Sequence, residues 1–203
     1  MTDGNRALIR VSGALASSDG AALADALSDA RGVAEDSEVE EVLLQSYLFL
    51  GFPASLNGMA AWRELTGGLD DDGSAGQAPF DYTLWHDRGR EVCEAVYSSR
   101  YGQLRENVRE LHPDLEQWML VEGYGKVLGR PGLSLVMREL CIVATLAVMG
   151  VPKQLYSHMR GALNVGATAA DVEVALGEAE RFLQDEGRLA VSALWQRVKK
   201  AVE

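Results

Sequence analysis

Between Leu133 and Met149 the chain is almost continuously apolar or small: after Glu139 come Leu140, Cys141, Ile142, Val143, Ala144, Leu146, Ala147 and Val148. A helix that is apolar on every side is a central, buried one, and this segment sets the frame for everything around it. Gly150 is placed to stop it, and Pro152 falls where the first turn of a following helix needs no N–H. That second helix puts Leu155, His158, Met159, Ala162 and Leu163 on one face, at helical spacing. Gly166 suits the position just past a helix end, and Thr168 with Asp171 reads as a capping box opening a further helix. The stretch is a helical hairpin.

Two polar groups interrupt this apolar run. Glu139 stands near the foot of the first helix and His158 on the apolar face of the second. Neither can be dehydrated cheaply without a partner, so an acid and a base facing one core point to proton-transfer chemistry. Measured from the turn, the two sites are offset by roughly 6 Å along the helix axes. Side chains tilt toward their own helix N-terminus, which here draws the pair apart. The expectation is that a water, a substrate group or a second subunit bridges them if they do not touch.

The pattern Arg-Glu-Leu, a long apolar helix, Gly-x-Pro, Leu-x-x-His and Ala-Leu-Asn-x-Gly resembles the carboxymuconolactone decarboxylase family and the related alkylhydroperoxidase-D proteins. A weaker similarity runs upstream, where Tyr124-Gly125 and Pro131-Gly132-Leu133 precede the Arg138-Glu139 helix. The resemblance implies an all-α helical bundle, a homo-oligomer (here a dimer or trimer), and functional roles for Glu139 and His158, which keep the family's separation of 19 residues (158 − 139). The peroxidase branch carries a Cys-x-x-Cys between its Glu and His. Those two cysteine positions read Val151 and Gln154 here, so the disulfide chemistry does not carry over.

The only cysteines, Cys93 and Cys141, form no Cys-x-x-Cys, disulfide framework or zinc pattern, and no metal site is expected. Cys141, two residues past Glu139, is the sole candidate for redox chemistry, although a buried structural thiol is the plainer expectation. Arg138 and Arg160 flank the acid and the base; either could hold a substrate carboxylate by a bidentate fork, or equally form a structural ion pair. Tyr124 is read as core or gate. His86 and His112 lie in polar surroundings, His112 before a proline at an expected helix boundary.

The chain has 203 residues, 47% of them hydrophobic, enough to bury a substantial core as one domain or two small units. Its formal net charge of −11 opposes nucleic-acid binding. No run of eighteen or more apolar residues suggests a membrane span, and Met1–Arg10 lacks a basic-then-apolar signal, so the cytosol is the expected compartment.

Residues 1–67 read as a degenerate helical unit, 68–79 as a flexible linker, and 80–203 as the unit carrying the Glu/His pair. Breaks in the first unit are expected at Ser18–Gly20, Val33–Asp36 and Gly51–Pro53, and in the last at Gln184–Gly187. An offset near 132 lays Leu23 on Leu155 and, with a one-residue slip, Trp62 on Trp195. A competing offset of 99 pairs Gly51 with Gly150 and Gly67 with Gly166. The first is preferred, and in both the N-terminal copy lacks the histidine. Asp70, Asp71 and Asp72 within the linker fit no calcium-loop spacing.

Three functions follow from these residues and the resemblance. The first is a decarboxylase-like enzyme needing no cofactor, with His158 and Glu139 moving a proton on a small organic acid or lactone and Arg138 or Arg160 orienting it. The second is a peroxidase acting through Cys141. The third is a non-catalytic helical oligomer that keeps the pair as structure.

Overall fold

The computed structural model describes residues 1–68 and 80–202, so the expected linker from residue 69 onward, with its three aspartates, lies outside the described residues. The fold is all-α, and the described residues contain no β-strand. The helices are α1 (Asp3–Ser17), α2 (Gly20–Ala30), α3 (Asp36–Gln45), α4 (Tyr47–Thr66), α5 (Tyr82–Tyr97), α6 (Tyr101–Leu111), α7 (Pro113–Trp118), α8 (Leu135–Met149), α9 (Pro152–Asn164), α10 (Ala169–Ala179) and α11 (Asp185–Val202). A π-helical segment, Met119–Leu128, continues from α7 without a break.

Short polar residues define five of the helix starts. Thr2, Asp19, Asp81 and Ser134 each accept a hydrogen bond from a first-turn N–H, and Thr168 with Asp171 forms a reciprocal capping box. Gly150 ends α8 in the left-handed conformation (φ 68°), and Pro152 opens α9. Within α4 the chain breaks at Gly51, whose φ of 77° and ψ of 170° suit only glycine, and restarts at Pro53. Ser18 takes the left-handed position at the end of α1 (φ 58°), the place Gly150 holds after α8.

Helix α8 is the axis of the core: every residue from Met137 to Ala147 is buried. It packs against α1, α9 and α10, and α1 contributes the fully enclosed Leu8, Ile9 and Val11. Each such side chain contributes about 1.5–3 kcal/mol by leaving water. Buried side chains from Ala7 to Val198 form one cluster, so both ends of the chain share a single core. The helix starts recur at the wider of the two intervals: α1 and α8 begin at 3 and 135, α2 and α9 at 20 and 152, each 132 apart.

The π-helical segment lies against α5 with almost no side-chain spacer. Gly89 meets the Leu120 carbonyl and Gly125 meets the Trp85 carbonyl so closely that a Cβ at either position would overlap backbone. Arg88 Nε donates to the Gly125 carbonyl at 2.6 Å across the same seam. A run of π-helix this long is uncommon, and such widened turns recur at functional sites. This one forms part of the wall of a cavity beside His158.

Candidate active site

Glu139 is held on the second turn of α8 and His158 on the second turn of α9, on helices that pack together after the Gly150 turn. The two side chains touch directly: His158 Nδ1 lies 2.9 Å from Glu139 Oε2. The expected bridging group is therefore not needed. The axial offset is overcome because α9 carries glycine one turn beyond His158. A Cβ on Gly161 would come within 2.9 Å of Glu139 Oε2 and 2.7 Å of Val96 Cγ1, so the missing side chain makes the slot that admits the carboxylate.

The pair is layered. Glu139 is fully enclosed, and its Oε1 has no hydrogen-bond partner among the described residues. Such an under-satisfied buried carboxylate is costly and calls for a reason. His158 is 7% exposed and stands between Glu139 and a cavity of about 780 Å³ that it helps to line. With Nδ1 committed to the carboxylate, Nε2 is left as the nitrogen without a partner among the described residues. Phe49 packs edge-on against the imidazole, with ring centroids 5.8 Å apart.

Carbon forms most of the cavity wall, through Leu48, Leu104, Val108, Leu115, Trp118 and Met119. Tyr97 and Tyr124 join it, their rings edge-to-face at 6.1 Å. Burial pushes the Tyr97 hydroxyl up to about 12 and raises Tyr124 well above the usual tyrosine value, with Glu139 adding to both. Both phenols thus remain protonated donors at neutral pH. Lys153, Gln154 and Ser157 complete the α9 side of the wall.

The two arginines do not reach this cavity. Arg138 points the other way and is wholly buried; its Nη2 donates to Glu41 Oε2 at 2.6 Å, and its Nη1 to Gln45 Oε1 at 3.3 Å. Glu41 also receives Arg130, at 2.9 Å. Of the two roles expected for Arg138, the structure displays the ion pair. Arg160 lies over the Tyr156 ring, 6.0 Å from its centroid, and lines no part of the His158 cavity. Cys141 is fully buried, and burial pushes its thiol up to about 12, the opposite of what a reactive thiolate requires. Cys93 is equally enclosed and raised to about 12. His112 accepts from the Asp114 N–H as a cap for α7, and His86 sits beside Asp87 at the surface. Among the described residues no three His, Cys, Asp or Glu side chains converge as a metal site, and no helix is long and apolar enough to cross a membrane.

Sequence reasoning passed over Tyr97, Lys153 and the N-terminal pair Leu48 and Phe49. Gln154 had a signal, since it stands four residues before His158 and shares its helix face; Lys153, five residues before, is turned away from that face. Leu48 and Phe49 had none, because a different helix delivers them.

An all-helical bundle with a carboxylate-backed histidine opening on an apolar cavity defines the class of protein. Residues 113–196, the part of the chain that carries the pair, match the carboxymuconolactone decarboxylase family. The chain is 30% identical over 141 residues to peroxisomal protein 2 of Schizosaccharomyces pombe, covering 66% of this chain and 63% of that protein. It is 26% identical over 166 residues to peroxisomal protein 2 of Saccharomyces cerevisiae, covering 70% and 59% respectively. Against 4-carboxymuconolactone decarboxylase of Acinetobacter baylyi it is 28% identical over 87 residues, covering 42% of this chain and 65% of that enzyme. The matched region thus spans about six-tenths of each relative's length.

Proposed function

We propose that the His158 cavity is a site of general acid–base chemistry on a small organic acid or lactone, in the manner of a decarboxylase. The observation that supports this reading most is the direct Glu139–His158 contact beneath an open cavity. An ionised Glu139 accepts from Nδ1–H, which fixes the ring's tautomer and aims Nε2 as the exchanging nitrogen. The bond from the substrate's carbon to its carboxylate breaks, and carbon dioxide leaves without the electron pair. That pair is delocalised into an adjacent carbonyl, where the Tyr97 and Tyr124 hydroxyls stabilise the developing oxyanion. Nε2, protonated from solvent before the step, delivers that proton to the carbon and leaves the neutral Nδ1–H tautomer held by Glu139. His158 is the catalytic residue, and Glu139 acts through it as a positioning residue. The family match and the likeness to a protein named as a decarboxylase agree with this class of reaction.

A thiol peroxidase is less well supported, because Cys141 is enclosed and its thiol is raised. A homo-oligomer belongs to the same reading, supported by exposed Phe52 and Leu56; a monomer mass by light scattering would remove it. The recurring helix starts support reading residues 1–67 as a degenerate copy of the unit in 80–203, with α1 packed on its counterpart α8. A solution structure of residues 80–203 alone with α8 left exposed and melted would fit this reading; an unaltered fold would count against it. We place the protein in the cytosol, and fractionation that finds it sequestered elsewhere would correct this.

The test of the chemistry is carbon dioxide release from a panel of β-oxo acids and carboxylated lactones. His158→Ala is expected to lower turnover by about 10²–10⁴-fold, the usual contribution of a positioned acid–base group. Turnover unchanged in that variant would refute the assignment.

A further inference from the structure

The charge around the cavity restricts what it can hold. Among the described residues Lys153 is the one cation lining the cavity, and Lys126 lies beside its wall at Glu122. Lys126 is engaged: its ammonium is 3.5 Å from Glu122 and lies over the Tyr47 and Trp85 rings. Glu122 itself faces the cavity and accepts from the Tyr47 hydroxyl at 2.9 Å. Lys153 lines the cavity and its ammonium makes no ion pair with any described residue. The arginines flanking the acid and base are committed elsewhere.

A compact dicarboxylate would therefore find one free cation, one carboxylate of like charge, and a wall made mostly of carbon. Its second charge would be desolvated without compensation. A single carboxylate meets no such penalty. Lys153 and His158 both line this cavity and stand five residues apart on α9, an axial separation of about 7.5 Å. A carboxylate drawn to the Lys153 ammonium therefore lies in the same cavity as the imidazole.

We infer that the ligand of this site is a carbon-rich monocarboxylate, anchored by Lys153 and seated with its apolar body along Leu104, Val108, Leu115, Trp118 and Met119. The inference rests on the acid–base reading for where the reacting carbon lies, but the anchoring itself is tested without chemistry. The whole cavity, at about 780 Å³, has the size of a site for a ligand well beyond a six-carbon acid. The reactive form would be a β-oxo acid, in which the anchored carboxylate is the group lost as carbon dioxide.

The experiment uses the full chain and ligands that cannot react. Decanoate, decanol and muconate are titrated by calorimetry, with the change in tryptophan emission that Trp118→Phe removes as a second readout. Decanoate is expected to bind about fivefold more tightly than decanol, the gain of a solvent-screened ion pair, and more tightly than muconate. Lys153→Gln should abolish the preference for decanoate over decanol, and Lys153→Arg should keep it. His158→Ala should retain the preference. Muconate binding more tightly than decanoate, an undiminished preference in Lys153→Gln, or no decanoate binding to the wild type would each overturn the inference. Failure of the acid–base reading shows separately, as retained decanoate binding with no carbon dioxide release from any acid in the panel.

Discussion

Replacing Glu41 by alanine isolates what Arg138 does. The Arg138 guanidinium is entirely removed from solvent, with Glu41 Oε2 at 2.6 Å and three further acceptors, Gln45 Oε1 and the carbonyls of Arg130 and Pro131, at 3.3 Å. Its Nε is buried without a partner, and burial pulls the group below its ordinary arginine value, with Glu41 opposing. Among the described residues Glu41 is thus the only carboxylate balancing this fully buried cation. Removing one member of such a pair costs about 3–5 kcal/mol, because the other charge is left uncompensated. The second bond of Glu41, to the one-third-exposed Arg130, adds about 0–1 kcal/mol. Urea unfolding followed by circular dichroism should therefore show Glu41→Ala destabilised by about 3–5 kcal/mol at an unchanged urea slope. In Glu41→Leu/Arg138→Met, where both charges are gone, the loss should be smaller than the sum of the single changes by at least about 2 kcal/mol. This double variant should also bind decanoate as the wild type does. A single-variant cost below about 1 kcal/mol, or additive single changes, would refute the view that Glu41 compensates a buried charge. Loss of decanoate binding in a folded double variant would return Arg138 to the substrate.

Gly161→Ala places a methyl group against Glu139 Oε2 and Val96. Overpacking of about 1–3 kcal/mol is partly offset by a gain of about 1 kcal/mol in helix propensity, so the net loss should be about 0–2 kcal/mol. The His158 ring resonances should change far more than stability does, and an unaltered imidazole titration by NMR would show that the slot is not needed. The buried thiols make stability fall in alkali. Their folded values are raised from 9.0 to about 12, so their contribution is complete below pH 9 and is lost as pH climbs from about 9 through about 12. Each thiol contributes about 1.4 kcal/mol of that loss per pH unit. Cys93→Ala/Cys141→Ala should flatten the slope between pH 10 and 11 by about twice that amount. An unchanged slope, or rapid labelling of Cys141 by a thiol reagent in the folded protein, would contradict its burial.

Much of this architecture is written locally. An all-round apolar stretch such as Leu140–Val148 has no stable place but a core, and Gly150, Pro152, Gly166 and Thr168 set the ends of α8, α9 and α10 through backbone chemistry that needs no distant partner. The pairing of Glu139 with His158 was half legible: residue types and spacing nominated them, but axial offset argued against contact. That argument failed at Gly161, where the absence of one Cβ matters only once α5, α8 and α9 have met. The sequence by itself determined the helices, their caps and the two residues of the acid–base pair, because propensity, capping and periodicity act within a few residues. Only the tertiary structure decided that Arg138 faces Glu41 rather than a ligand, that Cys141 is sealed, and that Phe49, Tyr97 and Lys153 meet His158 around one cavity. Those outcomes depend on burial and on partners far away along the chain, and no local pattern encodes them.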